Sequence, residues 1–105
     1  LDAVSNARHL KVHMITLDHL AAELGTEPDL IKIDVEGAED LVLCGMTGIL
    51  YRQRATLIIE CHSAIVEGSV RDRLTSFGYG CMDLDAQVDR EFRYPHHIMA
   101  APMAR

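Results

Sequence analysis

The chain has 105 residues, 49% of them hydrophobic, with a formal net charge of −6. That is ordinary globular composition, enough for one small domain that buries roughly 65% of its unfolded surface. The acidic balance disfavours a nucleic-acid backbone as the main partner. No apolar run approaches the roughly 20 residues of a membrane span, so no membrane partner is expected.

The basic residues are scattered apart from Arg71, Arg73, Arg90 and Arg93, which read as a solvated face. Cys44, Cys61 and Cys81 are odd in number, widely spaced and without a C-x-x-C pair. They read as reduced, mostly buried thiols in a cytoplasmic protein rather than as a zinc site. The amino terminus lacks the basic-then-apolar-then-small order of a signal peptide. A chain that starts at Leu1 rather than Met is expected to be a piece of something longer.

In chain order, residues 1–10 carry little pattern. Lys11 to Thr16 alternates and predicts a strand. Thr16 or Asp18 can cap the next helix, whose apolar stripe is Leu17, Leu20, Ala21 and Leu24, and Gly25 stops it. Pro28 keeps the chain extended into a strand over Leu30–Val35. Gly37 then permits a tight turn or the close approach of a ligand. Ala38, Leu41, Val42 and Gly45 mark the buried side of a short helix, broken between Gly45 and Gly48. Ile49 to Tyr51 predicts a further helical turn. Ala55 to His62 is a strand, and Ser63 is a cap. Ile65, Val66, Val70, Leu74 and Phe77 fall at helical spacing, and Gly78 ends that helix. Tyr79 to Leu84 is a strand, Asp85 to Pro95 a polar loop, and His97 to Ala101 a last strand. Strands alternating with helices predict α/β with a mainly parallel sheet. The last connection has no helix, so the final strand is expected antiparallel to its neighbours.

The stretch from Asp29 to Glu39 carries the chemistry. With period 2, Ile31, Ile33 and Val35 share one face of the strand, and Lys32, Asp34 and Glu36 share the other. Burying a charge costs several kcal/mol unless it is paired, so three charges in a row need a reason. Ligands of open α/β sheets sit beyond the carboxyl ends of the strands, where Asp34 and Glu36 fall. Glu60 and His62 likewise end the next strand on one face. If the two strands are adjacent, the four side chains converge.

At Lys32-Ile-Asp-Val-Glu-Gly-Ala-Glu39 the sequence resembles the FkbM family of S-adenosylmethionine-dependent methyltransferases. Thr16-Leu-Asp-His-Leu20, Ile58-Ile-Glu-Cys-His62, Gly78-Tyr79 and Ile98-Met-Ala-Ala-Pro102 fit the same family in the right order. The similarity covers about residues 12–102. It implies a partial class I, Rossmann-like methyltransferase fold with helices on both faces of the sheet. It also implies methyl transfer to a hydroxyl of a sugar, polyketide or similar small molecule. The family's glycine-rich loop has no counterpart here. The resemblance therefore implies the carboxy-terminal part of one domain, with the cofactor-binding half absent and the chain alone incomplete and inactive.

Transfer to an alcohol needs its oxygen made more nucleophilic, by a base or a metal. Asp34 and His62 are the candidate catalytic residues, His62 being the best proton acceptor in the chain. Glu36 and Glu60 are candidates for substrate binding; for Glu36 a first-turn charge favoured by the helix dipole is as good a reading. Asp34, Glu60 and His62 are also candidate ligands for Mg²⁺ or Mn²⁺. Glu39 reads as a first-turn charge, Lys32 as a structural counter-ion, and His96 and His97 as a surface turn. His9, His13 and His19 show no ligand spacing. Two other functional classes fit the pattern less well. One is a non-catalytic remnant or interaction module that associates through an exposed sheet edge. The other is a metal-dependent hydrolase using the same carboxylates and histidine.

Overall fold

The computed structural model describes residues 8–85 and 94–103. Its elements in chain order are α1 (Leu17–Leu24), β1 (Leu30–Ile33), α2 (Glu39–Cys44), α3 (Thr47–Arg52), β2 (Thr56–Cys61), α4 (Ala64–Ser76), β3 (Tyr79–Asp83) and β4 (His96–Pro102). Most of the predicted loop from Asp85 to Pro95 lies outside the described residues, as do Arg90 and Arg93.

The four strands form one sheet in the order β1-β2-β4-β3. β1 and β2 are parallel, with Ile31 opposite Leu57 and Ile33 opposite Ile59. β4 is antiparallel to both β2 and β3. The final strand thus runs against its neighbours as expected, but the sheet is mixed rather than mainly parallel. β4 sits inside the sheet and not at its edge, so this one reversed strand takes part in two of the three pairings.

Alternation along the strands decides which face is buried. Ile31, Ile33, Leu57, Ile59, Cys61, Ile98 and Ala100 all point one way into the core. There they meet Leu43 of α2, Ile49 and Leu50 of α3, Val70 and Leu74 of α4, and the half-buried Leu17 and Ala21 of α1. Fully burying each large aliphatic side chain contributes roughly 1.5–3 kcal/mol. The expected arrangement with helices on both faces is therefore not what forms. Among the described residues all four helices pack on one face, and on the other Leu30, Lys32 and Met82 are exposed while Ile58 and Met99 are half-buried.

Local chemistry closes each element. The Thr16 hydroxyl accepts from His19 N–H (3.1 Å) at the start of α1, and Gly25 ends it in the left-handed region. Asp18 does a different job: its two oxygens accept from Gly48 and Ile49 N–H (2.8 and 2.9 Å), capping α3 from a distance of thirty residues. Ser63 caps α4 through Val66 N–H. Gly78 turns the chain into β3 with φ +82°, and any Cβ there would meet Gln53 Nε2 at 2.5 Å. That amide donates to Phe77 C=O at 2.7 Å. Arg73 clamps α4 to α2 through both oxygens of Asp40, and this hydrogen bond holds the Asp40 carboxyl below its ordinary range.

Some periodicities misled. Lys11 to Thr16 forms no strand; it is exposed, Met14 to 96%, and adds to neither edge of the sheet. Leu41 and Ile65 are exposed and Leu43 is the buried anchor of α2. Of the cysteines, Cys61 is buried, Cys81 half-buried and Cys44 exposed. Burial, with Glu67 and Glu39 nearby, pushes the Cys61 thiol up to about 12, which keeps it inert as a nucleophile.

Candidate active site

The carboxyl ends of the parallel pair gather the polar side chains. β1 stops at Ile33, and Asp34 is the next residue. β2 ends at Cys61, with Glu60 facing away from the core and His62 just beyond. Because Ile33 lies opposite Ile59, Asp34 comes alongside Glu60. The candidate ligand atoms of Asp34, Glu60 and His62 lie within 4.8 Å of one another. His62 Nε2 is 3.7 Å from Asp34 Oδ1 and its Nδ1 is 3.3 Å from Glu39 Oε1. Three of the four expected residues thus converge. Asp34 is 44% exposed and His62 26%, so the group is open to a ligand.

Electrostatics distinguish its members. The Asp34 carboxyl hydrogen-bonds to that of Glu60, and this bond, followed by burial and the charge of Asp34, raises the Glu60 pKa. A like charge so close disfavours ionisation of Glu60. Burial alone would lower the His62 pKa. The hydrogen bond to Glu39 and the charges of Glu39, Glu60 and Asp34 outweigh it and raise the value. His97 stands opposite Glu60 on β4, its Nε2 3.8 Å from Glu60 Oε1, and its Nδ1 is held by Asp85 at 3.0 Å.

Glu36 does not join the group. The strand ends two residues earlier than its alternation implied, and Glu36 takes φ +50° in the turn, exposed to solvent. Gly37 follows at φ +105°, where a Cβ would meet nothing within 4 Å. Glycine is therefore needed for its backbone angle and not for space. Lys32 is exposed on the open face and takes part in none of the ion pairs among the described residues.

Glu39 is a first-turn charge as expected but does more than that, and His96 was misread from the sequence. Glu39 is fully buried. Its oxygens accept from Gly37 N–H at 3.0 and 3.2 Å and from Val35 N–H at 3.3 Å. A glutamate at the first helical position, two residues after the turn glycine, can reach back to the turn's N–H groups, and Gly37-Ala-Glu39 was the available signal. His96 is also buried, in β4 and not in a surface turn. Its Nδ1 lies 2.7 Å from Glu67 Oε1 and its Nε2 3.4 Å from Asp83 Oδ1. Extending the alternation of Ile98 and Ala100 back by one step would have placed it inward. Arg71 bridges the same two carboxylates, at 2.7 Å to Glu67 and 2.6 Å to Asp83, instead of lying on a solvated face.

Two grooves lie far from this group, around α1 and the amino end of β1. One of about 490 Å³ is lined by Asp18, Gly25, Glu27 and Arg52, and one of about 240 Å³ by Leu17, Leu24, Pro28 and Ile49. Among the described residues no helix is long and apolar enough to cross a membrane. Compared with known families, residues 3–90 match the model described as the methyltransferase FkbM domain. No curated protein and no solved structure matches the chain.

Proposed function

The chain belongs to the methyltransferase FkbM domain family, and on that premise we propose that it is the acceptor-side, carboxy-terminal part of an S-adenosylmethionine-dependent O-methyltransferase. Its acceptor is a hydroxyl of a sugar, polyketide or similar metabolite. The observation that carries this reading is the convergence of Asp34, Glu60 and His62 at the carboxyl ends of β1 and β2. A hydroxyl placed beside His62 Nε2 can give up its proton to the imidazole as the oxygen becomes a nucleophile. Asp34, 3.7 Å from His62 Nε2, balances the charge of the imidazolium that forms. Glu60, whose pKa is raised first by its neighbour Asp34, lies beside Asp34 and His97 and is assigned to binding the acceptor. Glu36 lies in the turn at the rim and is assigned to outer parts of the substrate. Transfer of a methyl group demands positioning above all.

The described residues do not by themselves fit S-adenosylmethionine. The polar group stands at an open strand end, Asp34 being 44% exposed, and the two grooves lie at the other end of β1. We assign the cofactor cradle to strands that continue the sheet beyond β1. That edge is unpaired among the described residues, and Leu30 beside it is 63% exposed. β1, β2 and β3 all run in one direction, which suits extension into a larger α/β sheet. An edge of this kind can otherwise recruit a second copy of the chain.

Calorimetric titration with S-adenosylhomocysteine tests the assignment, on this chain and on a longer one carrying the upstream sequence. Binding by the longer chain alone is the expected result. Binding by the short chain would show that the cradle lies within these residues. A dimer on sizing would show that the β1 edge serves self-association. The spacing of the three ligand atoms also favours a second reading, in which Asp34, Glu60 and His62 hold Mg²⁺ or Mn²⁺ that polarises the hydroxyl. Manganese titration followed by its electron paramagnetic resonance signal separates the two: no loss of the free-ion signal at millimolar protein rules the metal out.

A further inference from the structure

We infer that Glu39 is a positioning residue that fixes His62 with its proton on Nδ1 and its lone pair on Nε2, facing Asp34 and the acceptor. This inference rests on the reading of His62 as the proton acceptor, and it concerns a residue whose sequence suggested only a first-turn charge.

The argument begins with cost. Glu39 is 0% exposed, and a carboxylate taken out of water costs several kcal/mol unless donors surround it. Three of its contacts are backbone: Val35 N–H once and Gly37 N–H to both oxygens. These tie the carboxylate to the turn between β1 and α2. They leave Oε1 directed at His62 Nδ1, 3.3 Å away. Capping needs only the backbone contacts. It does not need the carboxylate to be enclosed, nor to meet a side chain from another strand.

An ionised carboxylate only accepts hydrogen bonds. Nδ1 must therefore be the N–H, and in the neutral ring Nε2 is left as the acceptor. Of the three carboxylates facing His62, Asp34 from the end of β1 is 44% exposed and Glu60 on β2 is 16% exposed. Glu39 of α2 alone is buried and anchored to backbone. It is the member able to hold one orientation while the other two exchange partners with solvent or substrate. Metal-ligating histidines are commonly oriented by a carboxylate on the other ring nitrogen, whose loss typically costs about 10–100-fold in affinity or activity, and a histidine that takes a proton needs the same fixed tautomer.

The test is nitrogen-resolved magnetic resonance of the histidine rings in the full chain, with the His62 signals identified by their absence in His62→Gln. The expected wild-type ring, when neutral, carries its proton on Nδ1. Glu39→Gln keeps the size and one oxygen that can accept from Val35 and Gly37 N–H, but offers an N–H in place of the other carboxylate oxygen. It should move the ring to the Nε2–H form or to a mixture, with Glu39→Asp restoring part of the Nδ1–H population. A neutral wild-type ring protonated on Nε2 overturns the inference outright, whether or not any variant folds. An unchanged tautomer in a folded Glu39→Gln chain overturns it as well. None of these readouts needs methyl acceptor or cofactor. An Nδ1–H ring in a protein whose methyl transfer survives His62→Gln supports the positioning role and removes the proton-acceptor assignment. In the longer, active chain Glu39→Gln should lower kcat about 10–100-fold with KM little changed.

Discussion

Two clusters in this molecule contain the same chemical parts and have opposite characters. Asp34, Glu60 and His62, with Glu39 behind them, stand at the open ends of β1 and β2. Glu67, Asp83 and His96 stand where α4 packs over β3 and β4. Each has a histidine whose Nδ1 meets a largely or fully buried glutamate, at 3.3 Å in the first and 2.7 Å in the second. The difference is Arg71. Its guanidinium bridges Glu67 and Asp83. Burial alone would raise the Glu67 pKa, but hydrogen bonds from His96 and Arg71 prevail and lower it. Glu60 meets no such guanidinium among the described residues and shifts up, driven first by Asp34. A glutamate's role is thus set by what balances its charge. The compensated cluster is structural cement, and the uncompensated one retains the capacity to exchange protons.

Removing each histidine gives the widest separation between the two. His62→Gln should lower methyl transfer in the longer chain by about 10²–10⁴-fold, the usual contribution of a proton-transfer group, and leave thermal unfolding nearly unchanged. His96→Gln should do the reverse. It leaves Glu67 short of a buried partner, costs about 1–3 kcal/mol of stability and spares the chemistry. Paired activity and urea-unfolding measurements would break the comparison if the two variants behaved alike.

Arg71→Met comes next in size. It keeps the side chain's apolar stem and removes the charge that balances Glu67 and Asp83. Arg71 retains some solvent contact, so the loss should be about 2 kcal/mol, below that of a fully enclosed pair. The urea midpoint should fall at unchanged slope.

The pH dependence sharpens the contrast through its sign. The Glu67 pKa is lower in the folded chain than in the unfolded one. Its ionisation therefore contributes stability above the unfolded value of about 4.3, and that contribution is lost as pH falls through the folded value. The Glu60 pKa is raised, so its contribution is present below the unfolded value and is lost as pH rises through the folded one. Urea unfolding of Glu67→Gln and Glu60→Gln from pH 3 to pH 7 should accordingly change the acid limb in opposite senses. Glu67→Gln flattens the loss of stability on acidification, and Glu60→Gln steepens it.

Much of the site was legible because strand ends and glycine turns leave local marks. Ile31 and Ile33 as the buried face, Asp34 at the strand end, the turn at Gly37, and Glu60 with His62 on a neighbouring strand all follow from period-2 alternation and parallel pairing. What was hidden depended on partners distant in sequence. Nothing in Lys11 to Thr16 says that it stays out of the sheet although the β1 edge is open among the described residues. His96 is buried because β4 enters the sheet between β2 and β3, a placement its own residues do not announce. Glu39 lies inside because the helices share one face of the sheet. The surface to which its carboxylate points is built by β2, over twenty residues away.

The smallest expected effect comes from the residue that left the predicted row. Glu36 has φ +50°, a region that costs an ordinary L-residue roughly 1 kcal/mol or more. Asn occupies that region several times more readily than most side chains. If Glu36 has no role, Glu36→Asn should stabilise the chain by less than about 1 kcal/mol and leave methyl transfer unchanged. If the strained carboxylate is retained to meet the acceptor at the rim, as residues in uncommon backbone conformations often are at functional sites, the same gain in stability should accompany a higher KM for the acceptor at similar kcat. Stability measured by urea unfolding and KM measured in the longer chain decide between them, because the backbone term moves only the first.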